Sequence, residues 1–251
     1  MLNRIILFSL AALLLTATAC SDSFLQTEPN DRLSDSSFWN TEEDAELAVN
    51  ALYDHLKTAI FRWDSISDIG KPNTPGNSAS QNVQGLQSST IGYGRNIWGN
   101  SYEAIRAAND YLVNIDEVES DNSGLLDRYR AEARFARAYQ YSYLVMFYGD
   151  VPFITEPISI SEAKGLTRTD KEEIWDFIST ELQEISEDLP ESYSDSDLGR
   201  ITKGAALGWK ARAMLWAGRY EEAANAAQAV MDLGVYELYP SYENLFSYQA
   251  E

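Results

Sequence analysis

Cysteine and histidine are almost missing from this 251-residue chain, which has one of each, Cys20 and His55. A lone cysteine leaves no internal disulfide and, beside a lone histidine, no cluster of the kind that binds zinc. His55 falls on a helical stretch without a Cys or an Asp–His partner, so it reads as packing or surface. Nor is there a Ser, His or Cys constellation for nucleophilic catalysis. Acidic residues are plentiful enough for a pair of glycosidase carboxylates, Asp64 with Asp68 being the obvious choice. An acid-rich chain offers many such pairs by accident, so no catalytic role and no cofactor is expected. Basic residues are scarce, 19 against 39 acidic, for a net charge of −20. That balance opposes binding to nucleic acid or to anionic headgroups. The apolar run over residues 5–15 falls short of the about 20 residues that a membrane-spanning helix needs.

What the N-terminus does have is a processing pattern. Met1-Leu2-Asn3-Arg4 is a short positive segment, residues 5–15 are apolar, and Thr16-Ala17-Thr18-Ala19 are small. Together they predict a signal peptide over residues 1–19. A cysteine directly after Ala19 resembles a bacterial lipoprotein signal, which implies cleavage before Cys20 and lipidation of its thiol and new amino group. Ala17 departs from the Leu usual at that position. Asp22, close behind the cysteine, points to export to the outer face.

Residues 20–251 read as one domain, rich in Tyr and Trp and helical throughout. The dominant element is predicted over residues 125–148, on the order of 35 Å long. Its first half is amphipathic, with Arg128, Arg130, Glu132, Arg134 and Arg137 around a stripe of Tyr129, Ala133 and Ala136. From Ala138 to Tyr148 no polar face remains, so that half is expected to be enclosed. Gly149 and Pro152 end it.

Shorter helices surround it. Thr41 with Asp44 forms a capping box ahead of Ala45, Ala48, Val49, Leu52, Leu56 and Ile60. Trp98, Tyr102, Ile105, Asn109, Leu112 and Ile115 mark a second face, on which the Asn109 amide is expected to bond a neighbouring backbone. Residues 153–168 connect along the surface. Thr169 with Glu172 predicts another capping box, before the stripe Ile174, Ile178, Leu182, Ile185 and Leu189 and the stop at Pro190. Thr202 caps a helix through Ala206, Trp209, Ala213 and Trp216; after Gly218-Arg219, Tyr220, Ala223, Ala227 and Val230 carry a return helix whose alanines are expected to face the first. So short a turn forces an antiparallel hairpin. Gly218, Tyr220 and Ala223 follow tetratricopeptide spacing, though loosely. The expected fold is all-α: three tetratricopeptide-like helix pairs in a short superhelix with long inserted loops.

One stretch is not explained by packing. Residues 61–94 alternate Asn and Gln with Gly, Pro and Ser without a period, and a structureless loop of this length is usually functional or disordered. Amides and aromatic rings suit sugars, whose C–H faces stack on rings and whose hydroxyls need planar donors and acceptors. The candidate ligand-binding residues are Trp63 and Tyr93 as stacking faces, Arg95 as a fork of donors, and Gln81 and Asn82 as amide contacts. Trp98, at helical spacing with Tyr102 and Ile105, reads instead as core.

Several stretches carry a wider resemblance, in order along nearly the whole chain: residues 20–25, residues 38–44, Trp98 with Tyr102, Ile105 and Asn109, residues 132–138, residues 148–152, residues 199–203 and residues 236–246. With these the chain resembles the SusD/RagB family, surface nutrient-binding lipoproteins of Bacteroidetes. The resemblance implies an all-α body of tetratricopeptide-like helix pairs with ligand loops on one side. It also implies a lid on a TonB-dependent outer-membrane barrel (SusC-like), which receives oligosaccharides or sometimes peptides from it. Lipid anchoring to the cell outer membrane, facing the exterior, follows in the same way. On this resemblance the chain corresponds to the N-terminal half of the family, without the C-terminal half that supplies part of the glycan site. The competing reading is a tetratricopeptide-type scaffold on the outer membrane that binds protein and has no ligand site of its own. The amide-rich loop favours glycan binding, because a pure scaffold gains nothing from it.

Overall fold

The computed structural model describes residues 38–56, 67, 70, 78–86, 88 and 92–247. They fall into two units, Met1–Trp39 and Asn40–Glu251. Of the first, only Phe38 and Trp39 are described, their rings meeting edge to face at 5.2 Å. The second carries the helices.

In chain order these are α1 (Glu42–Leu52) with a 3-10 turn at Tyr53–Leu56, α2 (Ser78–Val83), α3 (Gly92–Asn114) with a turn at Ile115–Glu117, and α4 (Ser123–Tyr148). Then follow α5 (Ile160–Ala163), α6 (Lys171–Asp188), α7 (Lys203–Trp216) and α8 (Tyr220–Asp232). The described residues contain no strand, only one antiparallel bridge between Val151 and Thr169. None of the described helices is long and apolar enough to cross a membrane. The fold is all-α, and its packing follows the chain: α3 lies on α4, α4 on α6, α6 on α7 and α7 on α8, with α1 against α3 and α4.

Local signals set the helix starts. Thr41 accepts a hydrogen bond from the Asp44 amide while the Asp44 carboxylate takes the Thr41 amide at 2.9 Å, the expected capping box. That hydroxyl contact holds the exposed Asp44 carboxyl below its usual range. Thr202 caps α7 by accepting from the Ala205 amide. The box expected at Thr169 and Glu172 is absent. The Thr169 amide donates to the Val151 carbonyl, so Asp170 becomes the N-cap of α6. A box that the sequence reading missed sits at Ser159 and Glu162, opening α5 within the surface connection.

α4 is the axis, and its burial is distributed differently from the expectation. Buried positions run from Leu126 to Val145, so the charged half is interior as well as the apolar half. Glu132 and Arg137 are buried because each finds charged partners on other elements. The last turn surfaces instead, with Phe147 41% exposed. Gly149 ends the helix at φ 68°, ψ −125°, a conformation reserved for glycine, with its amide bonded to Val145. The main core forms where Tyr139, Tyr141, Leu144 and Val145 meet Ile174, Ile178, Leu182 and Ile185 of α6 and Ala206, Ala213 and Met214 of α7. Each large side chain buried there contributes roughly 1.5–3 kcal/mol.

Of the alanines expected to face α7, one is buried and one is not. Ala223 and Ala226 are buried against α7, whereas Ala227 is exposed and Tyr220 is 71% exposed. Tyr220, Ala224, Ala227 and Met231 therefore form a second, outward stripe at helical spacing.

Candidate functional site

Part of the segment expected to be structureless is helical. α2 occupies residues 78–83, and α3 begins at Gly92, absorbing the end of the predicted loop. α2 packs against α3. Gln81 thus lies half-buried on α2 and Arg95 exposed on α3, so the structure brings the elements carrying two of the candidates together. Arg95 has no ion pair among the described residues, in a chain whose charge is −20. Asn82 and Tyr93 sit on the same two helices, with side chains outside the described set; Trp63 lies wholly outside the described residues. The expected lipid site, Cys20, lies outside them too.

α3 is held rigidly below Arg95. Trp98 packs on Tyr102 at 5.0 Å and edge-on to Tyr148 at 5.2 Å, half-buried against the core as expected. The Tyr102 hydroxyl donates to the Pro152 carbonyl at 2.7 Å. About two turns further, Asn109 donates to the Ile154 carbonyl at 3.0 Å, the backbone contact its buried amide was expected to need. The Tyr141 hydroxyl joins the same segment, accepting from the Ile154 amide at 2.6 Å and donating to its carbonyl at 2.9 Å. Burial pushes the Tyr102 and Tyr141 hydroxyls far above the usual tyrosine range, so both remain protonated donors. Residues 152–154 and the start of α3 are thereby fastened to the end of α4.

Two charged networks were not foreseen. Arg137 donates to the Asn109 side chain, the Thr155 carbonyl and Glu181, each at 3.0 Å, with its guanidinium over the Phe177 ring. Arg200 reaches Glu132 at 3.1 Å, Glu46 at 2.7 Å and Asp197 at 2.7 Å. Tyr53 completes this cluster, donating to Glu132 at 2.8 Å and accepting from the Ile201 amide at 3.0 Å. Burial holds the Glu132 carboxyl above its ordinary value, against the pull of Tyr53, Arg200 and Arg128. The Arg200 contact lowers Asp197. A second aromatic group was also missed: Tyr139, Tyr143, Trp209 and Trp216 lie within 4.4–5.7 Å of one another where they touch, and the Trp209 ring N–H donates to Ser142. These groups hold helices together. Among the described residues no three His, Cys, Asp or Glu side chains converge as a metal site.

These elements define an all-α protein of stacked helix hairpins with an amide-rich insertion between α1 and α3. The chain belongs to the SusD-like family: the family model described as starch-binding, associating with outer membrane, matches residues 23–215. SusD-like protein P2 of Formosa agariphila is 29% identical over 93% of this chain and 48% of its own length. The crystal structure of a SusD-like carbohydrate-binding protein from Bacteroides fragilis matches with a TM-score of 0.73 at 27% identity, covering 83% of this chain and 44% of the other. A laminarin-binding SusD-like protein matches with a TM-score of 0.71 at 25% identity, over 82% and 48% of the two chains. The chain spans about half the length of the curated relatives it matches.

Proposed function

We propose that this chain is the N-terminal, glycan-facing part of a non-catalytic outer-membrane lipoprotein. It captures oligosaccharide at the cell surface and delivers it to a TonB-dependent, SusC-like barrel. Membership of a family described as starch-binding and associating with outer membrane carries the reading. After removal of the signal peptide over residues 1–19, the lipid on Cys20 would anchor domain 20–251, facing the exterior. The ligand surface would be residues 61–95, which run through α2 into the first turn of α3: Trp63 and Tyr93 stack on sugar rings, Arg95 donates to hydroxyls, and Gln81 and Asn82 add amide contacts. Such sites are shallow, so affinity is weak and carried by a few rings.

The test is calorimetric titration of the mature chain, residues 20–251, against starch-derived, laminarin-derived and host-type oligosaccharides. Trp63→Ala or Tyr93→Ala should weaken binding several-fold with an unchanged melting temperature. Trp98→Ala, packed on Tyr102 and Tyr148, should lower the melting temperature first. Binding by both loop variants at the parental level removes the loop from the site. An absence of heat with every glycan at millimolar concentration removes the function from this half of the protein.

A further inference from the structure

We propose that residues 42–56 form a releasable strap, latched to the body by Arg200, which opens as a unit while the stack α3–α8 stays folded. The strap consists of α1 and the turn after it. Its buried residues, Ala45, Val49 and Leu52, stand outside the main apolar core built from α4, α6 and α7. They form a satellite patch, of the kind that unfolds locally at lower free energy than the core it adjoins.

Tyr53 and Leu56, in the turn, pack against the edge of that core, and beside these apolar contacts a polar seam joins strap to body. The three kinds of nitrogen of the Arg200 guanidinium each take one carboxylate, from three parts of the chain: Nη2 holds Glu46 of α1, Nη1 holds Glu132 of α4 and Nε holds Asp197 beside it. Glu46 lies 154 positions away in sequence, so no local preference brings it there. Tyr53 repeats the connection at the far end of the strap, joining Glu132 to the Ile201 amide. Further contacts run along the seam: Tyr111 donates to the Ala45 carbonyl, Gln140 to the His55 carbonyl, and Ser120 bonds Glu42. Arg128 supports the cluster from α4, paired with Asp197 at 3.4 Å.

The position of the latch gives it consequence. In sequence, residue 57 follows the strap directly and begins the stretch that contains Trp63. The proposal concerns the chain without ligand and stands whether or not the segment binds glycan.

Native-state hydrogen exchange on the mature chain decides it. Arg200→Gln should speed exchange of the 42–56 amides by about tenfold or more relative to the parent, with the amides of α4 and α6 unchanged. Glu46→Gln keeps the interior Arg200–Glu132 pair and should act in the same direction more weakly, which guards against misfolding of the first variant. Arg200→Lys should give an intermediate rate, because one ammonium cannot reproduce a three-way fork. Equal acceleration over 42–56, α4 and α6 in Glu46→Gln would make the strap part of one cooperative unit and overturn the proposal. Parental exchange at 42–56 in both variants would overturn it as well.

Discussion

Asn109 and Arg137 meet in the interior, where the amide oxygen of one accepts from Nη1 of the other at 3.0 Å. Each completes the other: Asn109 spends its N–H on the Ile154 carbonyl, while Arg137 continues to Thr155 and to Glu181. The pair thus ties α3, α4, α6 and the segment after α4 at one point. Removing one charge strands the other. Glu181→Gln should cost about 3–5 kcal/mol in urea melts, whereas Arg137→Met with Glu181→Met should cost less than the sum of the two single changes. An additive pair would show that the charges act independently.

Acid should act on two carboxylates in opposite directions. Asp197 is held below its ordinary 3.8 chiefly by the Arg200 hydrogen bond, so the stability it contributes is complete above that value and fades as pH falls through the depressed one. The gap between parent and Asp197→Asn should therefore be widest near neutrality and close in acid. Glu132 is held above its ordinary 4.5 by burial, so its contribution is present below that value and fades as pH rises through the raised one. The parent's lead over Glu132→Gln should accordingly shrink as pH rises from mildly acidic to neutral. Urea melts across that range check both slopes, and equal slopes for the two variants would contradict the assignment.

The long helix offers a contrast within one turn. Leu144 is fully buried, and Leu144→Ala should lose about 2–5 kcal/mol. Phe147→Ala, three residues on, should lose far less, because its ring is already partly in water. Glu187→Ala on the open face of α6 serves as the reference, within about 0.5 kcal/mol of the parent. Thermal melts that rank Phe147→Ala with Leu144→Ala would contradict this burial.

Cys20→Ser should move the protein from the membrane fraction to the soluble one. The variant remaining with membranes after a carbonate wash would place the anchor elsewhere. Protease shaving of intact cells tests the outward orientation, and full protection of the parent would count against it.

Near-neighbour signals made much of the fold legible. The Thr41–Asp44 box, the Thr202 cap, the stripe from Ile174 to Leu189 and the stop at Gly149 all depend on residues within a few positions of one another. The buried Asn109 amide was legible too, since a polar group on an apolar face has to find a partner. Charges were harder. The arginines and Glu132 along α4 look like a solvated face until partners 44 and 68 positions away are known. Alanine misled in α8, where small side chains occupy both faces and fix no register. Thr169 was a plausible cap on sequence, but a bridge to Val151 claimed its amide. Of the candidate ligand residues, the amide-rich composition located a segment rather than a geometry, and only Gln81 and Arg95 have described side chains.

The outward stripe of α8 has a practical consequence for handling the protein. Met231 is 64% exposed and Tyr220 more so, and Leu215 near the end of α7 is exposed as well. Apolar area of this kind in water is satisfied by whatever reaches it first, including an identical molecule. Association should rise with concentration, and light scattering at successive dilutions would register it. Titrations and melts on this chain belong at the dilute end of that series, where each molecule reports on itself rather than on its neighbours.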